Sequence, residues 1–64
     1  MGAKISYYRH LRGYTQVELS ERIAISSGYL SKIERAVDVS GVPLSTYMKI
    51  AQALDVTIAD LMKE

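Results

Sequence analysis

The sequence has 64 residues, no cysteine, a single histidine and a formal net charge of +1 at pH 7. Without cysteine the chain has no disulfide framework and no cysteine-based zinc site, and its apolar runs are far shorter than the ~20 residues of a membrane-spanning helix. A chain of this size buries only about 60% of its unfolded-state surface, so we expect residues 1–64 to form one small, efficiently packed domain.

Charged residues are distributed unevenly between the two halves of the chain. Residues 1–35 carry six lysines and arginines against three glutamates, whereas residues 36–64 carry two lysines against four acidic residues. A basic half joined to an acidic half suggests a surface that meets a polyanion. A random scatter of surface charges gives the same counts, so the charge alone does not decide between these interpretations.

The first predicted helix covers residues 4–12. Ile5 and Tyr8 lie on the side that should face inward, and Gly13 can adopt the left-handed conformation that commonly ends a helix. No stretch of the chain has the alternation of apolar and polar residues that is typical of a strand. The sequence therefore predicts helices from its beginning.

Three capping signals mark the starts of further helices. Thr15 followed by Glu18 is a capping box, in which the hydroxyl accepts one free backbone N–H and the carboxylate accepts another. Ser26 is a second N-cap candidate, and Thr57 with Asp60 repeats the capping box. The helices that these signals predict cover residues 16–23, 27–35 and 58–63.

A further helix is predicted over residues 43–54, because the fixed φ of Pro43 suits a first helical turn. Its apolar residues recur at helical spacing and should lie on one inward face. They are Leu44, Tyr47, Ile50, Ala51 and Leu54. The segment AVDVSGV, residues 36–42, is the only real loop, so five short helices predict an all-α fold.

The second and third predicted helices are joined by only residues 24–26. So short a connection does not allow the two helices to lie antiparallel side by side, and it predicts a steep crossing. Ser20 is small enough for the point where the helices approach each other. This is the pattern of a helix-turn-helix, whose second helix enters the major groove of DNA.

The spaced pattern IxxYRxxxGYTQxxLSxxIxISxxYLSxIER, over residues 5–35, resembles the lambda-repressor-like, Cro-type helix-turn-helix family, also called the XRE family. Tyr8, Gly13, Tyr14 and the run YLSKIER resemble the SinR-type regulators of that family. The later LSTYMKIAQALDVTIADLM is similar to the family's fourth and fifth helices, so the resemblance covers nearly the whole chain. It implies a five-helix lambda-repressor-like fold that binds double-stranded DNA.

The resemblance also implies which residues contact DNA. On the third helix, Lys32 can donate to guanine O6 or N7, and Gly28 permits close approach. The residues expected to meet base edges are Ser27, Gly28, Ser31 and Lys32. The residues expected to contact phosphates are Gln16, Arg9, Arg35, Ser40 and Gly41. The alternative for the third helix is an ordinary solvated surface.

Arg9 and Glu34 match an ion pair that the family uses inside the fold. The resemblance therefore implies that this pair ties the first helix to the third, with a phosphate contact as a second role for Arg9. If the pair is deeply buried, removing either partner should cost roughly 3 kcal/mol. The alternative is that both side chains are simply exposed.

The chain departs from the family pattern at two alanines. Ala24 stands in the turn where the family usually has glycine, because that position commonly needs a positive φ, and alanine there costs on the order of 1 kcal/mol. Ala36, at the end of the third helix, replaces a usual glycine or asparagine. The following loop is also longer than usual, which makes the placement of Ser40 and Gly41 less predictable.

Two classes of function are compatible with these residues. The first is a sequence-specific transcriptional regulator, with repression as the expected sense, that binds a palindromic operator as a homodimer because one unit reads only a few base pairs. The second is a protein-interaction module, such as an antitoxin or a partner-docking domain, since Ser27, Gly28 and Ser31 offer few strong base contacts. A regulatory protein partner fits either class.

The dimer contact is expected to come from the fifth helix and its neighbours. The residues that could form a soft apolar patch there are Met48, Ile58, Leu61 and Met62, with plain core as the alternative interpretation. An enzyme is not expected, since the chain lacks a cysteine nucleophile, a second histidine and a glycine-rich phosphate loop. We also expect no cofactor, metal, small-molecule ligand or membrane partner. The N-terminus lacks the apolar core of a signal peptide, which predicts a cytoplasmic protein of bacterial type.

Overall fold

The computed structural model describes residues 2–36 and 40–62, and within these ranges it contains helices and no strands. The helices are α1 (Gly2–Leu11), α2 (Gln16–Arg22), α3 (Ser27–Glu34), α4 (Leu44–Leu54) and α5 (Ile58–Met62). The prediction of an all-α fold with five helices is confirmed, and the described ends lie within two residues of the predicted ones. Residues 37–39 of the predicted loop and residue 63 of the predicted fifth helix lie outside the described residues.

Side-chain caps fix the starts of three helices where the sequence predicts them. The Thr15 hydroxyl accepts a hydrogen bond from the Glu18 backbone N–H at 3.0 Å, and the Glu18 carboxylate accepts one from the Thr15 backbone N–H at 2.9 Å. Thr57 and Asp60 repeat this arrangement with two hydrogen bonds of 3.0 Å. The Ser26 hydroxyl accepts from the Tyr29 N–H at 3.0 Å. Each such cap stabilises its helix by about 1 kcal/mol.

The start of α4 corrects two predictions. Pro43 has the expected φ of −65°, but its ψ of 149° is extended, so it is the N-cap and the helix begins at Leu44. The side chain of Leu44 was predicted to face the core, yet it is 63% exposed. The first turn of α4 therefore extends beyond the helices that cover the rest of its apolar face.

Backbone conformations with positive φ end several of the helices. Gly13 has φ of 79° after α1, as predicted for a left-handed stop. Ala24, in the turn between α2 and α3, has φ of 59°, and Ala36, after α3, has φ of 55°. An alanine Cβ crowds the following carbonyl in this conformation. Both positions predicted to depart from the family pattern therefore carry backbone strain.

The core lies where the five helices meet. Ser20, at the crossing of α2 and α3, is buried, and its hydroxyl donates to the Val17 carbonyl at 2.8 Å. The predicted apolar patch divides, because Leu61 belongs to the core whereas Met48 and Met62 are exposed. The buried apolar residues are Ile5, Leu19, Ile23, Leu30, Ile33, Ile50, Ala51, Leu54 and Leu61.

Candidate nucleic-acid interface

The turn between α2 and α3 fixes the orientation of α3. The backbone N–H of Ala24 donates to the Glu21 carbonyl at 3.3 Å, and that of Ile25 donates to the Ser20 carbonyl at 2.9 Å. Ser26 then caps the next helix. These bonds satisfy carbonyls at the end of α2, and α3 starts within a few residues, as the short connection predicts.

One side of α3 is packed into the core and the other faces outward. Leu30 and Ile33 are buried, so the inward side is apolar. On the outward side Gly28 and Lys32 are exposed, and Ser27 and Ser31 are half-buried. Both of these pairs are four residues apart and so lie one above the other along the helix. The structure therefore brings the four predicted base-reading residues together on one face.

The outward face of α3 is chemically open. No hydrogen bond or ion pair engages the Lys32 ammonium within the described part of the chain, so its three donors are available. A Cβ built on Gly28 would meet no atom within 4 Å, so neither packing nor backbone conformation requires glycine there. This face presents small side chains and a single cation to whatever approaches it.

The predicted phosphate-contacting residues belong to several different elements. Gln16 is half-buried in the first turn of α2, and its Nε2 donates to Glu34 Oε1 at 3.3 Å. Arg35 is exposed at the C-cap of α3, with Nε 3.4 Å from the Ser31 carbonyl. Ser40 and Gly41 are exposed and lie between the undescribed residues 37–39 and the start of α4.

Arg9 and Glu34 form an ion pair inside the fold. Arg9 Nε donates to Glu34 Oε2 at 2.8 Å and Arg9 Nη2 donates to Glu34 Oε1 at 3.1 Å, while Nη1 donates to the Tyr14 carbonyl at 2.9 Å. Their side chains are only 8% and 5% exposed, so the pair is not the solvated one of the alternative interpretation. Because the guanidinium is buried and engaged on three nitrogens, this geometry gives no support to the predicted phosphate contact of Arg9.

Residues 5–61 match the family model described as helix-turn-helix. The chain belongs to the helix-turn-helix family. Two curated relatives, the HTH-type transcriptional regulators SinR of Bacillus licheniformis and of Bacillus subtilis strain 168, are each 34% identical over an alignment of 65 residues. The alignment covers 100% of this chain but 57% of each relative, so the chain spans little more than half of their length.

Two solved structures are similar to this helix-turn-helix chain. The structure of SinR in complex with DNA, described as the master regulator for biofilm formation, has 32% identity and a TM-score of 0.87, covering 97% of this chain and 100% of that one. A SinR–SinI protein complex has 33% identity and a TM-score of 0.88, covering 98% of this chain and 60% of that one. The predicted resemblance to SinR-type regulators is confirmed.

Besides the hydrogen bond between Gln16 and Glu34, two contacts between distant parts of the chain were missed by sequence reasoning. Gly2 is buried against the end of α3, where a Cβ would lie 2.7 Å from the Ile33 carbonyl oxygen, so only glycine fits. Arg12 Nε donates to the Leu54 carbonyl at 2.8 Å, which caps the C-terminal end of α4 with a cation. Both contacts join residues more than 30 positions apart, and no local signal in the sequence indicates them.

The described residues give no indication of a metal or membrane site. No group of three or more histidine, cysteine, aspartate or glutamate side chains is arranged to hold a metal ion in residues 2–36 and 40–62. Over the same ranges, each helix is too short and too polar to cross a membrane.

Proposed function

We propose that this chain is the DNA-binding part of a SinR-type transcriptional regulator and that it reads double-stranded DNA with α3. The observation that carries the proposal is the outward face of α3, where Lys32 is unpaired among small residues while the opposite side is buried. A relative of 32% identity and closely similar structure was solved in complex with DNA. DNA binding would also place the protein in the bacterial cytoplasm.

Each residue of the proposed interface has a distinct role. Lys32 donates to guanine O6 or N7 in the major groove, and the hydroxyls of Ser27 and Ser31 pair with donors or acceptors of other base edges. Gly28 lets the helix backbone approach the bases. Arg35 and the exposed amides near Gly41 contact phosphates, which fix the position of the protein but carry no sequence information.

Gln16 is a proposed phosphate contact that is also hydrogen-bonded to the buried Arg9–Glu34 pair. It lies in the first turn of α2, where free backbone N–H groups and the helix dipole favour an anion. Its side-chain amide is held by Glu34, which is in turn neutralised by Arg9. Arg9 therefore acts on DNA through the position of other side chains and not through a phosphate contact of its own.

We further propose that two copies bind one palindromic operator. The eight residues of α3 span about 12 Å, which corresponds to three or four base pairs, too few for specific affinity. Binding to two half-sites about 10 base pairs apart would supply the remaining affinity. The exposed side chains of Met48 and Met62 are available for a contact between copies. Repression is the proposed sense of regulation.

The proposal is tested by selecting binding sites from random duplex DNA at near-physiological salt. We expect a short palindrome whose half-sites lie about one helical turn apart. Recovery of no motif, with only weak and salt-sensitive binding, would leave the basic residues with non-specific attraction alone and would contradict the proposal.

A second candidate function is a protein-interaction module on the same fold. It is favoured by the few strong donors on the outward face of α3, and a relative forms a complex with the protein SinI. A Lys32→Ala variant discriminates between the two. It should weaken specific DNA binding by about 1–3 kcal/mol if Lys32 reads a guanine, while circular dichroism stays unchanged because the side chain is exposed. Binding of a protein partner by an interaction module should not change.

A further inference from the structure

A cleft opens between the end of α2 and the second half of α4. Its volume is about 420 Å³, which is large enough for one or two side chains of another molecule. The residues that line it are Arg22, Ile23, Lys49, Gln52 and Ala53. None of these residues has a role in the proposed DNA interface.

The cleft is lined by cationic and apolar residues. Its two charged residues, Arg22 and Lys49, are both cations, and no acidic residue lines it. Lys49 makes no hydrogen bond or ion pair within the described residues. The Arg22 guanidinium lies 5.4 Å from the centroid of the Tyr14 ring, which supports it by a cation–π contact. The other lining residues are the apolar Ile23 and Ala53 and the polar Gln52.

The position of the cleft separates it from the proposed phosphate contacts at Gln16, Ser40 and Gly41. Gln16 lies at the first residue of α2 and Arg22 at the last, so about 9 Å of helix axis separates them. Likewise α4 begins shortly after Ser40 and Gly41, whereas Gln52 lies eight residues into that helix, about 12 Å further along. The cleft therefore lies toward the ends of α2 and α4 that are remote from these phosphate contacts, while Ile23 lies four residues before Ser27, the first proposed base-reading residue.

We propose that this cleft docks an acidic segment of a partner protein. An apolar side chain of the segment packs on Ile23 and Ala53, while a neighbouring aspartate or glutamate pairs with Lys49 and Arg22. Charge complementarity selects this occupant, because both charged residues of the lining, Arg22 on α2 and Lys49 on α4, are cations. A small molecule fits less well, since the cleft is open to solvent and small-molecule sites bury most of their ligand.

This inference names the chemistry of a protein partner, which the proposed function leaves open, and it does not depend on DNA binding. The probe for the test is a blocked 12-residue peptide of glutamate, leucine and alanine at helical spacing, and its control has lysine in place of every glutamate. Binding to the full chain is followed by the NMR shifts of the Ile23 and Ala53 methyl groups. We expect the acidic peptide to shift these methyl groups and the basic peptide to leave them unchanged.

Matched variants locate the contact. Lys49→Gln should weaken acidic-peptide binding about threefold, and Arg22→Gln combined with Lys49→Gln roughly tenfold. Lys4→Gln, the same substitution on α1 and outside the cleft, should leave peptide binding unchanged. Lys49 is exposed, so its variant should fold normally, which circular dichroism checks.

Several results would overturn the proposal. The proposal is wrong if the acidic peptide gives no shift of the Ile23 and Ala53 methyl groups. It is also wrong if Lys4→Gln weakens peptide binding as much as Lys49→Gln does. If duplex DNA shifts the same methyl groups and displaces the peptide, the cleft is part of the DNA-binding surface. If the methyl groups shift with protein concentration alone, the cleft is a contact between copies of this chain. Peptide binding without any DNA binding would instead refute the proposed function and leave this inference standing.

Discussion

Replacing Ala24 by glycine should stabilise the protein. Ala24 has φ of 59°, in the left-handed region where an alanine Cβ costs about 1–2 kcal/mol. Glycine adopts this conformation without that cost. Its greater freedom in the unfolded chain removes about 0.4–1 kcal/mol of the gain. Ala24 is exposed, so the lost methyl group takes little packing with it. The net expectation is an increase of about 0.5–1 kcal/mol in the free energy of unfolding.

This change should be measurable by thermal and urea denaturation. For a domain of this size, 1 kcal/mol shifts the melting temperature by about 4–8 °C, so Ala24→Gly should raise it by about 3–6 °C. Ala59→Gly is the matched control, because Ala59 is also exposed but lies within α5. Glycine is less favourable than alanine in a helix, by up to about 1 kcal/mol in a helix interior, so this control should lower the melting temperature. An unchanged or lower value for Ala24→Gly would refute the argument that the turn is strained.

Three further perturbations test other parts of the structure. Arg9→Met should lower the free energy of unfolding, measured by urea denaturation, by about 3–5 kcal/mol, because it leaves the buried Glu34 carboxylate without its ion-pair partner. Adding Glu34→Leu should restore much of this stability. A loss below about 1 kcal/mol for Arg9→Met would contradict the burial of the pair. Gly28→Ala should raise the melting temperature, since the site is open and helical, but should weaken specific DNA binding by placing a methyl group on the reading face; unchanged binding would show that close approach is not needed there. Hydrogen bonds from the backbone and then the side chain of Thr15 lower the pKa of Glu18 from 4.5. The stabilisation by ionised Glu18 is therefore present above this value, and the stability difference from Glu18→Gln should shrink as the pH falls below it; a constant difference would argue against this pKa shift.

The sequence predicted the features that depend on neighbouring residues. The N-caps at Thr15, Ser26 and Thr57 are recognisable because a hydroxyl and its partner lie three positions apart. The short turn before α3 was predictable for a similar local reason. Helical periodicity was less reliable at Leu44, because the period shows which residues share a face but not how far the neighbouring helices extend to cover it.

Contacts between distant residues were predictable only through the family resemblance or not at all. The Arg9–Glu34 pair came from the resemblance, since neither residue alone indicates a partner 25 positions away. The hydrogen bond from Gln16 to Glu34 and the cap that Arg12 provides for α4 had no such signal. The base-reading roles of Ser27 and Lys32 depend on a DNA sequence that the chain does not encode, so they stay predictions.

The Glu34 carboxylate joins three helices at one point. It lies at the end of α3, accepts from Arg9 of α1 and also accepts from Gln16 of α2. With the hydrophobic core behind it, this junction leaves α3 little freedom to rotate or slide against its neighbours. The proposed reading face is therefore preorganised, and little conformational entropy would be lost if it enters a groove. Where a site fits poorly, the double helix must deform to meet the protein, so DNA flexibility would contribute to the choice of operator.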